Sequence, residues 1–437
     1  MGRAKVHAFL EDRGLLAATV DMEEELERFL EHMRKGLAGV PLPDAMPMIP
    51  TYLSLGKKVP VGEPVIVMDA GGTNFRICLV TFDRNYDAKV EYFKKFPMPG
   101  TEREISGKEF YHTIADAVLP YLEHSTTIGF CFSYACEIQP DKDGRILNFS
   151  KEVRCPEAVG SLVGASLKKV LREDKGVKED VHIVLLNDTV AALLGGYAKS
   201  NKREYDSNCG FILGTGTNCA YLEDNQNITK LKGKINPFSN MIINMESGDY
   251  RIATRSDIDR EIDAMTNAPG AYAFEKLISG RYQGLQALYT IREAIEHTDL
   301  FSGFFAENFS TIHELESYQL DDFLYAPYGP GELSQCCAND IDREHLYFII
   351  DNIFERAAKL VAMSFCAVHI QTDSGRNPTK PLAITVDGST FYKSKLFRSK
   401  LKYYVKDFIN DKYGYYNEFL KVENANLIGA AIAGLTN

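Results

Sequence analysis

The 437-residue sequence has no tryptophan, and none of its apolar runs approaches the roughly 18 residues that a membrane-spanning helix needs. Near the N-terminus, Val6 stands where a myristoylation signal requires Ser or Thr. We therefore predict a soluble, cytoplasmic protein with no membrane partner.

An excess of positive charge is also missing. The chain has 49 Lys and Arg residues against 60 Asp and Glu residues, a formal net charge of -11, and the basic residues are interspersed among the acidic ones. Proteins that bind nucleic acid usually present a basic face. The sequence therefore predicts no nucleic-acid partner.

Metal-ligand patterns are absent as well. The nine cysteines are scattered without a CxxC pair, and the nine histidines form no HxxxH or HExxH pattern. These patterns predict reduced thiols and no transition-metal site built by the protein. The length of the chain exceeds one ordinary core and favours two domains with a ligand-binding cleft between them.

A carboxylate follows one clearly apolar segment. Val181 to Leu186 lead directly into Asn187, Asp188 and Thr189, and then into a helical apolar segment. This order predicts a strand with the Asp188 carboxylate at its carboxyl end. The same residues are also typical of an ordinary helix N-cap, so the pattern alone leaves both interpretations open.

Two glycine-threonine turns flank this carboxylate in the sequence. One follows the apolar run that ends at Leu213, and the other follows the apolar run Val65 to Met68. Glycines let backbone N–H groups approach a ligand, and threonines add hydroxyl donors, as in phosphate sites. A single turn of this kind is often only a hairpin, but two of them around one carboxylate predict a nucleotide site.

Hydrophobic periodicity predicts a helix over residues 13–37 and then elements in the order βββαβα up to Asp188. A second half repeats the pattern. Its predicted strands cover residues 209–213, 219–222, 241–245 and 382–386.

Six motifs then resemble a known family in their order and approximate spacing. They are Asp69-Ala70-Gly71-Gly72-Thr73-Asn74-Phe75-Arg76, Leu186-Asn187-Asp188-Thr189-Val190-Ala191, Gly214-Thr215-Gly216-Thr217-Asn218, Asn244-Met245-Glu246, Phe274-Glu275-Lys276-Leu277-Ile278-Ser279-Gly280 and Val386-Asp387-Gly388-Ser389. The chain resembles the hexokinases of eukaryotic type in their single-unit form, over residues 48–434. The resemblance implies a two-lobed α/β fold of the actin-like (ribonuclease H-like) class, with a duplicated βββαβαβ unit and a central cleft.

The lobe boundaries are predicted from the proline-punctuated stretch that ends near Pro64 and from the small residues of the C-terminal segment. We expect a small lobe at residues 58–187 and a large lobe at residues 188–424. Residues 1–57 are expected to add an N-terminal helix and a crossing segment to the large lobe. A C-terminal helix at residues 425–437 is expected to return to the small lobe.

The implied reaction is the ATP-dependent phosphorylation of a hexose, with D-glucose and its 6-hydroxyl expected, giving hexose 6-phosphate and ADP for glycolysis. Asp188 is implied as the base that accepts the proton of the hydroxyl. The implied sugar-binding residues are Ser150, Lys151, Asn187, Asn218, Glu246 and Glu275.

ATP is implied to lie between the two turns, with Mg²⁺ bridging its phosphates. The implied nucleotide-binding residues are Asp69, Gly71, Gly72, Thr73, Asn74, Arg76, Gly214, Thr215, Gly216, Asp387, Gly388 and Ser389. Asp69 is implied to reach Mg²⁺ through water. Two of these assignments have an ordinary alternative, because Arg76 could form a surface salt bridge and Asp387-Gly388 is a common turn.

The sequence also departs from the family pattern. Ser133-Tyr134-Ala135-Cys136 lacks a proline usual there, Ser150 replaces a threonine, and no Trp follows Glu246. These changes fall in the sugar-binding motifs, so a kinase for mannose, fructose or an N-acetylhexosamine is the main alternative. A non-catalytic sugar sensor would have no need of Asp188 and Arg76, and an ATPase of the actin or chaperone class would have no need of the sugar-binding acids.

Overall fold

The computed structural model describes residues 2–149, 153–199 and 203–437. In the N-terminal half, the elements are α1 (Gly2–Asp12), α2 (Met22–Leu37), β1 (Ile49–Pro50), β2 (Val65–Ala70), β3 (Asn74–Phe82), β4 (Ala88–Pro97), α3 (Gly107–Val118), β5 (Thr127–Phe132), β6 (Ala135–Ile138), β7 (Gly144–Asn148), α4 (Val163–Glu173), β8 (His182–Leu186) and α5 (Asp188–Lys199).

The C-terminal half begins with three strands and continues with many helices. Its elements are β9 (Ser207–Leu213), β10 (Thr217–Asp224), β11 (Asn240–Asn244), α6 (Asp257–Met265), α7 (Glu275–Ile278), α8 (Gly280–His297), α9 (Gly303–Phe309), α10 (Ser317–Tyr325), α11 (Glu332–Cys336), α12 (Asp340–Thr372), β12 (Leu382–Asp387), α13 (Ser389–Lys393), α14 (Lys395–Tyr404), β13 (Asn417–Leu420) and α15 (Ala425–Thr436). A π-helical segment, Val405–Lys412, continues α14.

The two halves build sheets of the same order. The five-stranded sheet runs β4-β3-β2-β5-β8, and the six-stranded sheet runs β11-β10-β9-β12-β13 with β1 added beside β11. In each sheet the first three strands are antiparallel and the later pairs are parallel. The predicted fold class, a duplicated two-lobed α/β unit, is therefore confirmed.

The strands at the centre of each sheet are apolar on both faces. All six residues of β2 are buried, as expected of a strand that is covered on both sides. One core cluster covers the outer face of the five-stranded sheet with α3 and α4, and another packs α2, α8 and α12 on the six-stranded sheet. Between the sheets, α5 and α15 share a third cluster with both of them.

Helix α15 approaches its neighbours very closely. A Cβ added at Gly429 would lie 1.9 Å from the carbonyl oxygen of Ala191 in α5, and one added at Gly129 in β5 would lie 1.8 Å from the carbonyl oxygen of Ala430. Only glycine allows these backbones to pack at this distance. The small residues of the C-terminal segment thus fit it between α5 and the five-stranded sheet.

The single helix predicted over residues 13–37 is wrong in its first part. The structure has α1, a short 3-10 turn at Ala17–Thr19, and only then α2. Gly14 adopts a φ of +64°, which interrupts the helical path. Asp21 then caps α2, because its side chain accepts hydrogen bonds from two N–H groups of the first turn.

Candidate active site

Polar residues converge from the two sheets on one cleft. We call the residues at the edge of the five-stranded sheet the first wall, and those at the edge of the six-stranded sheet the second wall. The first wall consists of Asp69, Arg76, the first turn (residues 71–74), Tyr134, Asn187 and Asp188. The second wall consists of the second turn (residues 214–217), Asn218, Asn244, Glu246 and Glu275.

Asp69 and Arg76 are cross-strand neighbours on β2 and β3. Nη1 of Arg76 lies 3.0 Å from Oδ2 of Asp69, whose side chain is 3% exposed, while the Arg76 side chain is 41% exposed. Burial raises the pKa of Asp69, and the charge of Arg76 opposes this rise. The partner of Arg76 is therefore a buried carboxylate beside the cleft and not a surface residue.

The first turn closes through its own backbone. The N–H of Gly71 donates to the carbonyl of Asn74 at 3.0 Å, and the Asn74 amide donates to the Thr73 hydroxyl at 2.9 Å. Thr73 is exposed, and Gly71, Gly72 and Asn74 are partly exposed. The turn therefore presents a short stretch of accessible backbone next to Arg76.

Asn187 and Asp188 lie where β8 ends and α5 begins. The N–H of Ala191 donates to the carbonyl of Asn187 at 2.9 Å, and the Asn187 side chain accepts from the N–H of Thr189 at 2.8 Å. Asn187 thus has the hydrogen bonds of an N-cap. Asp188 uses only Oδ1 for its contacts with Thr189, at 2.8 Å to the N–H and 3.3 Å to the hydroxyl.

The second turn is held by residues that follow it much later in the chain. The carbonyl of Gly214 accepts from the N–H of Gly280 at 2.9 Å and from the hydroxyl of Thr390 at 3.1 Å. Gly388 lies directly behind the turn with a φ of +121°, and a Cβ there would lie 2.1 Å from the carbonyl oxygen of Leu213. Glycine is therefore required at residue 388.

The other predicted nucleotide residues lie around this turn. The N–H of Gly388 donates to Oδ1 of Asp387 at 2.7 Å, which closes a tight local turn. Asp387, Ser389 and Thr215 are exposed. The structure thus brings the 387–389 segment against the second turn.

Amide side chains hold Glu246 in the second wall. Its Oε1 accepts from Asn244 at 2.8 Å and from Asn218 at 3.5 Å, and Asn218 also donates to Asn244 at 2.8 Å. Glu246 has a left-handed backbone conformation with a φ of 51°, which is uncommon outside glycine. Burial raises the pKa of Glu246 to about 7, the Asn244 hydrogen bond opposes this, and the nearby Asp188, Asp249 and Glu275 charges add to it.

Glu275 opens α7 and contacts the second turn directly. Its Oε2 accepts from the N–H of Thr217 at 3.0 Å, and a Cβ added at Gly216 would lie 2.7 Å from the same oxygen. Burial raises the pKa of Glu275, and the hydrogen bond from Thr217 opposes the rise. The carboxylate therefore supports the second turn, and the residue is partly exposed.

The cleft between the walls has an empty volume of about 360 Å³, part of it open to solvent. It is lined by Thr51, Phe132, Tyr134, Cys136, Ile138, Leu185, Leu186, Asn187, Asn244 and Glu246. The Asp188 charge acts on Asp69 in one wall and on Glu246 in the other. Asp188 is thus close to carboxylates of both walls.

Most of the residues predicted from the sequence meet in this region, but Ser150 and Lys151 lie outside the described residues. Tyr134 and Asn244 lie in the cleft and were not among the predicted site residues. Asn244 could have been found, because it is two residues before Glu246 at the end of a strand. Tyr134 had a weaker signal, since it lies in the motif that lacks the expected proline.

Within residues 2–149, 153–199 and 203–437, no three or more His, Cys, Asp or Glu side chains are grouped so that they could hold a metal ion. None of the helices in these ranges is long and apolar enough to cross a membrane.

Comparison with solved structures identifies the fold. The structure superposes on a solved hexokinase from Schistosoma mansoni, complexed with glucose, with a TM-score of 0.77 and 22% identity, covering 100% of this chain and 99% of that one. With its two similar sheets and central cleft, the chain has the two-lobed α/β fold of the actin-like class.

The family follows from sequence. Two profiles, both described as Hexokinase, match residues 13–197 and 208–436, and the second match alone spans more than half of the chain. Hexokinase-1 of Schizosaccharomyces pombe is 26% identical over 93% of this chain and 85% of its own length. Hexokinase HKDC1 of Mus musculus is 29% identical over 59% of this chain, and the matched region covers 29% of the length of that protein. The chain belongs to the hexokinase family, whose members phosphorylate hexoses with ATP.

Proposed function

We propose that the hexose is D-glucose and that the product is glucose 6-phosphate, formed with ADP for glycolysis. The observation that carries the proposal is the position of Asp188 between the carboxylate of Glu246, in the hexose-facing second wall, and the Asp69–Arg76 pair. The glucose in the Schistosoma mansoni structure belongs to that protein, and it supports the choice of sugar only by family membership.

In this proposal Asp188 is the general base. A sugar hydroxyl is a poor nucleophile, so a carboxylate within hydrogen-bond distance accepts its proton while the bond to phosphorus forms. Asn187 takes the capping hydrogen bonds of α5. Asp188 therefore does not need to serve as the N-cap, and its Oδ2 is left to face the substrate.

The sugar ligands are acceptors and donors that a hexose would satisfy. The Glu246 and Glu275 carboxylates accept from sugar hydroxyls, and the Asn187 and Asn218 amides add further polar contacts. A buried polar group that loses its partner costs free energy, so a ring lacking the matching hydroxyls is rejected. Ser150 and Lys151 are proposed for the same pocket.

ATP is proposed to place its phosphates between the two turns. Thr73 and Thr215 are exposed on opposite walls, and Gly71, Gly72, Asn74, Gly214 and Gly216 lie beside them in the two turns. The N–H groups of Gly71 and Gly214 close these turns by donating to the carbonyls of Asn74 and Gly216. The Arg76 guanidinium is bonded to Asp69 through Nη1, and the side chain is 41% exposed, so its other donors remain accessible to a ligand. The adenosine end is proposed to lie beside Asp387, Gly388 and Ser389.

The donor set fits a Mg²⁺ ion that is held mainly by phosphates and water. Mg²⁺ usually keeps several waters and takes one or two protein carboxylates. Asp69 supplies such a carboxylate, and no larger cluster of ligands occurs in the described residues. When bound with ATP, the ion would neutralise phosphate charge, and Asp69 would hold one of its waters.

The compartment is proposed to be the cytoplasm. All nine cysteines are free and buried, including Cys209 and Cys219, whose sulfurs are 3.4 Å apart. Thiols that stay unpaired at this distance support a reducing environment.

A coupled assay of ADP release over a panel of sugars tests the proposal. We expect the highest kcat/KM with glucose, and lower values with mannose, fructose and N-acetylglucosamine. A higher value for one of the other sugars would replace glucose as the substrate. Sugar binding without ADP release would favour the non-catalytic sensor instead.

A further inference from the structure

The hydroxyl of Tyr134 contacts the first turn from the wall of the cleft. Its Oη donates to the carbonyl of Gly71 at 2.6 Å and lies 3.3 Å from the carbonyl of Gly72. We propose that Tyr134 is a positioning residue that orients the N–H groups of Gly72 and Thr73 toward the phosphates of ATP. This proposal rests on the function proposed above.

Peptide geometry links the carbonyls to the amides. The peptide bonds of the first turn are trans and planar, so the C=O of Gly71 and the N–H of Gly72 point in opposite directions. The same holds for the C=O of Gly72 and the N–H of Thr73. When Tyr134 holds both carbonyls on its side, the two N–H groups must face the other side.

These two N–H groups are available to a ligand. Among the described residues, neither the N–H of Gly72 nor that of Thr73 donates to a protein acceptor. Thr73 is exposed and Gly72 is partly exposed. Successive backbone N–H groups that point the same way form a concave site for an anion.

The Tyr134 hydroxyl is well suited to this role because it stays protonated. The residue is 4% exposed, and burial together with the charge of Asp69 raises the pKa of the Tyr134 hydroxyl above its usual value. A neutral hydroxyl can therefore donate to the turn at any pH at which the protein works.

The ring of Tyr134 belongs to the proposed hexose pocket. It packs against Phe132 and Phe149, with ring centroids 5.0 and 5.3 Å away, and it lines the cleft together with Asn187 and Glu246. One side chain thus forms part of the proposed hexose pocket and also holds the first turn. Removing only the hydroxyl separates these two roles.

The test is Tyr134→Phe, which keeps the ring and removes the donor. Two carbonyls of the first turn lose their partner and the turn can rotate, so we expect kcat/KM for ATP to fall ~5- to 50-fold. The KM for the hexose should stay within about twofold, because an unaltered ring contributes the same contact area. Binding of a non-hydrolysable ATP analogue, measured by calorimetry, should weaken in parallel.

Tyr121→Phe is the matched control. Oη of Tyr121 donates to the carbonyl of Tyr92 at 2.6 Å. Tyr121 is 3% exposed and lies in the same core cluster as Tyr134. Both variants lose one buried hydroxyl bond to backbone, so both should lose a similar amount of thermal stability. Only the Tyr134 variant should lower kcat/KM for ATP and the affinity for the ATP analogue.

The outcomes separate the two proposals. If the wild-type chain phosphorylates no hexose, the proposed function fails, and the calorimetric comparison still tests Tyr134. If Tyr134→Phe keeps the wild-type kcat/KM for ATP and the wild-type affinity for the analogue, the positioning role is wrong. It is also wrong if kcat/KM falls equally for ATP and for the hexose.

A variant that does not fold still leaves a measurement on the wild type. Hydrogen exchange at the amides of Gly72 and Thr73 should slow when the ATP analogue is added. If these amides are equally exposed to exchange with and without the analogue, the proposal is wrong.

Discussion

The two walls of the cleft hold their carboxylates in different ways. In the first wall, Asp69 has a guanidinium at 3.0 Å, and Asp188 is bonded to the donors of Thr189. In the second wall, Glu246 is bonded to neutral amides, and Glu275 to a backbone N–H. The first wall combines both signs of charge, which agrees with its proposed role in phosphate and proton transfer. The second wall offers carboxylates held by neutral donors, which agrees with its proposed role in binding sugar hydroxyls.

The two turns differ in the same way. The first is held by the neutral hydroxyl of Tyr134, and the second is bonded to the carboxylate of Glu275. Each turn is thus supported by a side chain at the proposed hexose pocket. Only the second depends on an ionisable group, the Glu275 carboxyl, whose pKa is raised by burial.

The largest expected effect lies in the first wall. Asp188→Asn removes the proposed base but keeps the shape and the contact with Thr189, so kcat should fall by ~10² to 10⁴ while the hexose KM changes less than about tenfold. Steady-state kinetics with the coupled assay measures both values.

Asp21→Asn is the control for this substitution. Asp21 caps α2, and asparagine caps a helix about as well, so this variant should keep wild-type kcat. Near-wild-type turnover in Asp188→Asn as well would mean that Asp188 has only a structural role at the start of α5.

Much of the first wall could be predicted from the sequence, because its parts are local. Apolar runs that end in Gly-Thr or Asn-Asp-Thr identify strand ends, and parallel strands place their carboxyl ends at one edge of a sheet. Asp69, the first turn and Asp188 therefore follow from β2, β5 and β8. The duplicated strand order follows from the same local signals.

Contacts between distant segments could not be predicted. Tyr134 is 63 residues from Gly71, and nothing local indicates that its hydroxyl reaches that carbonyl. The support of the second turn by Gly280 and Thr390 also depends on how whole elements pack. The break before α2 was missed because the apolar spacing continues through Gly14, whose positive φ becomes visible only in the structure.

The second wall is tested by the two glutamates. Glu246→Gln and Glu275→Gln each remove an ionised acceptor for a sugar hydroxyl, and bonds to charged groups contribute ~1.5 to 3 kcal/mol. The hexose KM should therefore rise between about 10- and 150-fold in each variant. Kinetics at saturating ATP measures this directly.

The KM for ATP distinguishes the roles of the two glutamates. Glu275 also accepts from the N–H of Thr217, so its substitution should raise the ATP KM by a few-fold, whereas Glu246→Gln should leave it unchanged. Glu261→Gln, an exposed glutamate on α6, is the control and should alter neither. An unchanged hexose KM in both cleft variants would place these carboxylates outside the sugar site.

The smallest expected effect is a pH dependence that belongs to the second wall. Burial raises the pKa of Glu246 to about 7, with Asp188, Asp249 and Glu275 adding to the shift. Below this pH the carboxyl is protonated and accepts hydrogen bonds from sugar hydroxyls less well, so kcat/KM for the hexose should fall as pH drops through 7, by at most about tenfold per unit.

Since kcat/KM reports the free enzyme, the inflection should lie at lower pH in the kcat profile, where bound hydroxyls stabilise the ionised carboxylate. Glu246→Gln should remove the inflection near pH 7 from kcat/KM, while Tyr134→Phe should retain it, because that hydroxyl does not titrate in this range. An inflection that persists in Glu246→Gln would assign the titration to another group. The contrast between a second wall that titrates through Glu246 and a first turn held by the neutral Tyr134 hydroxyl would then be wrong.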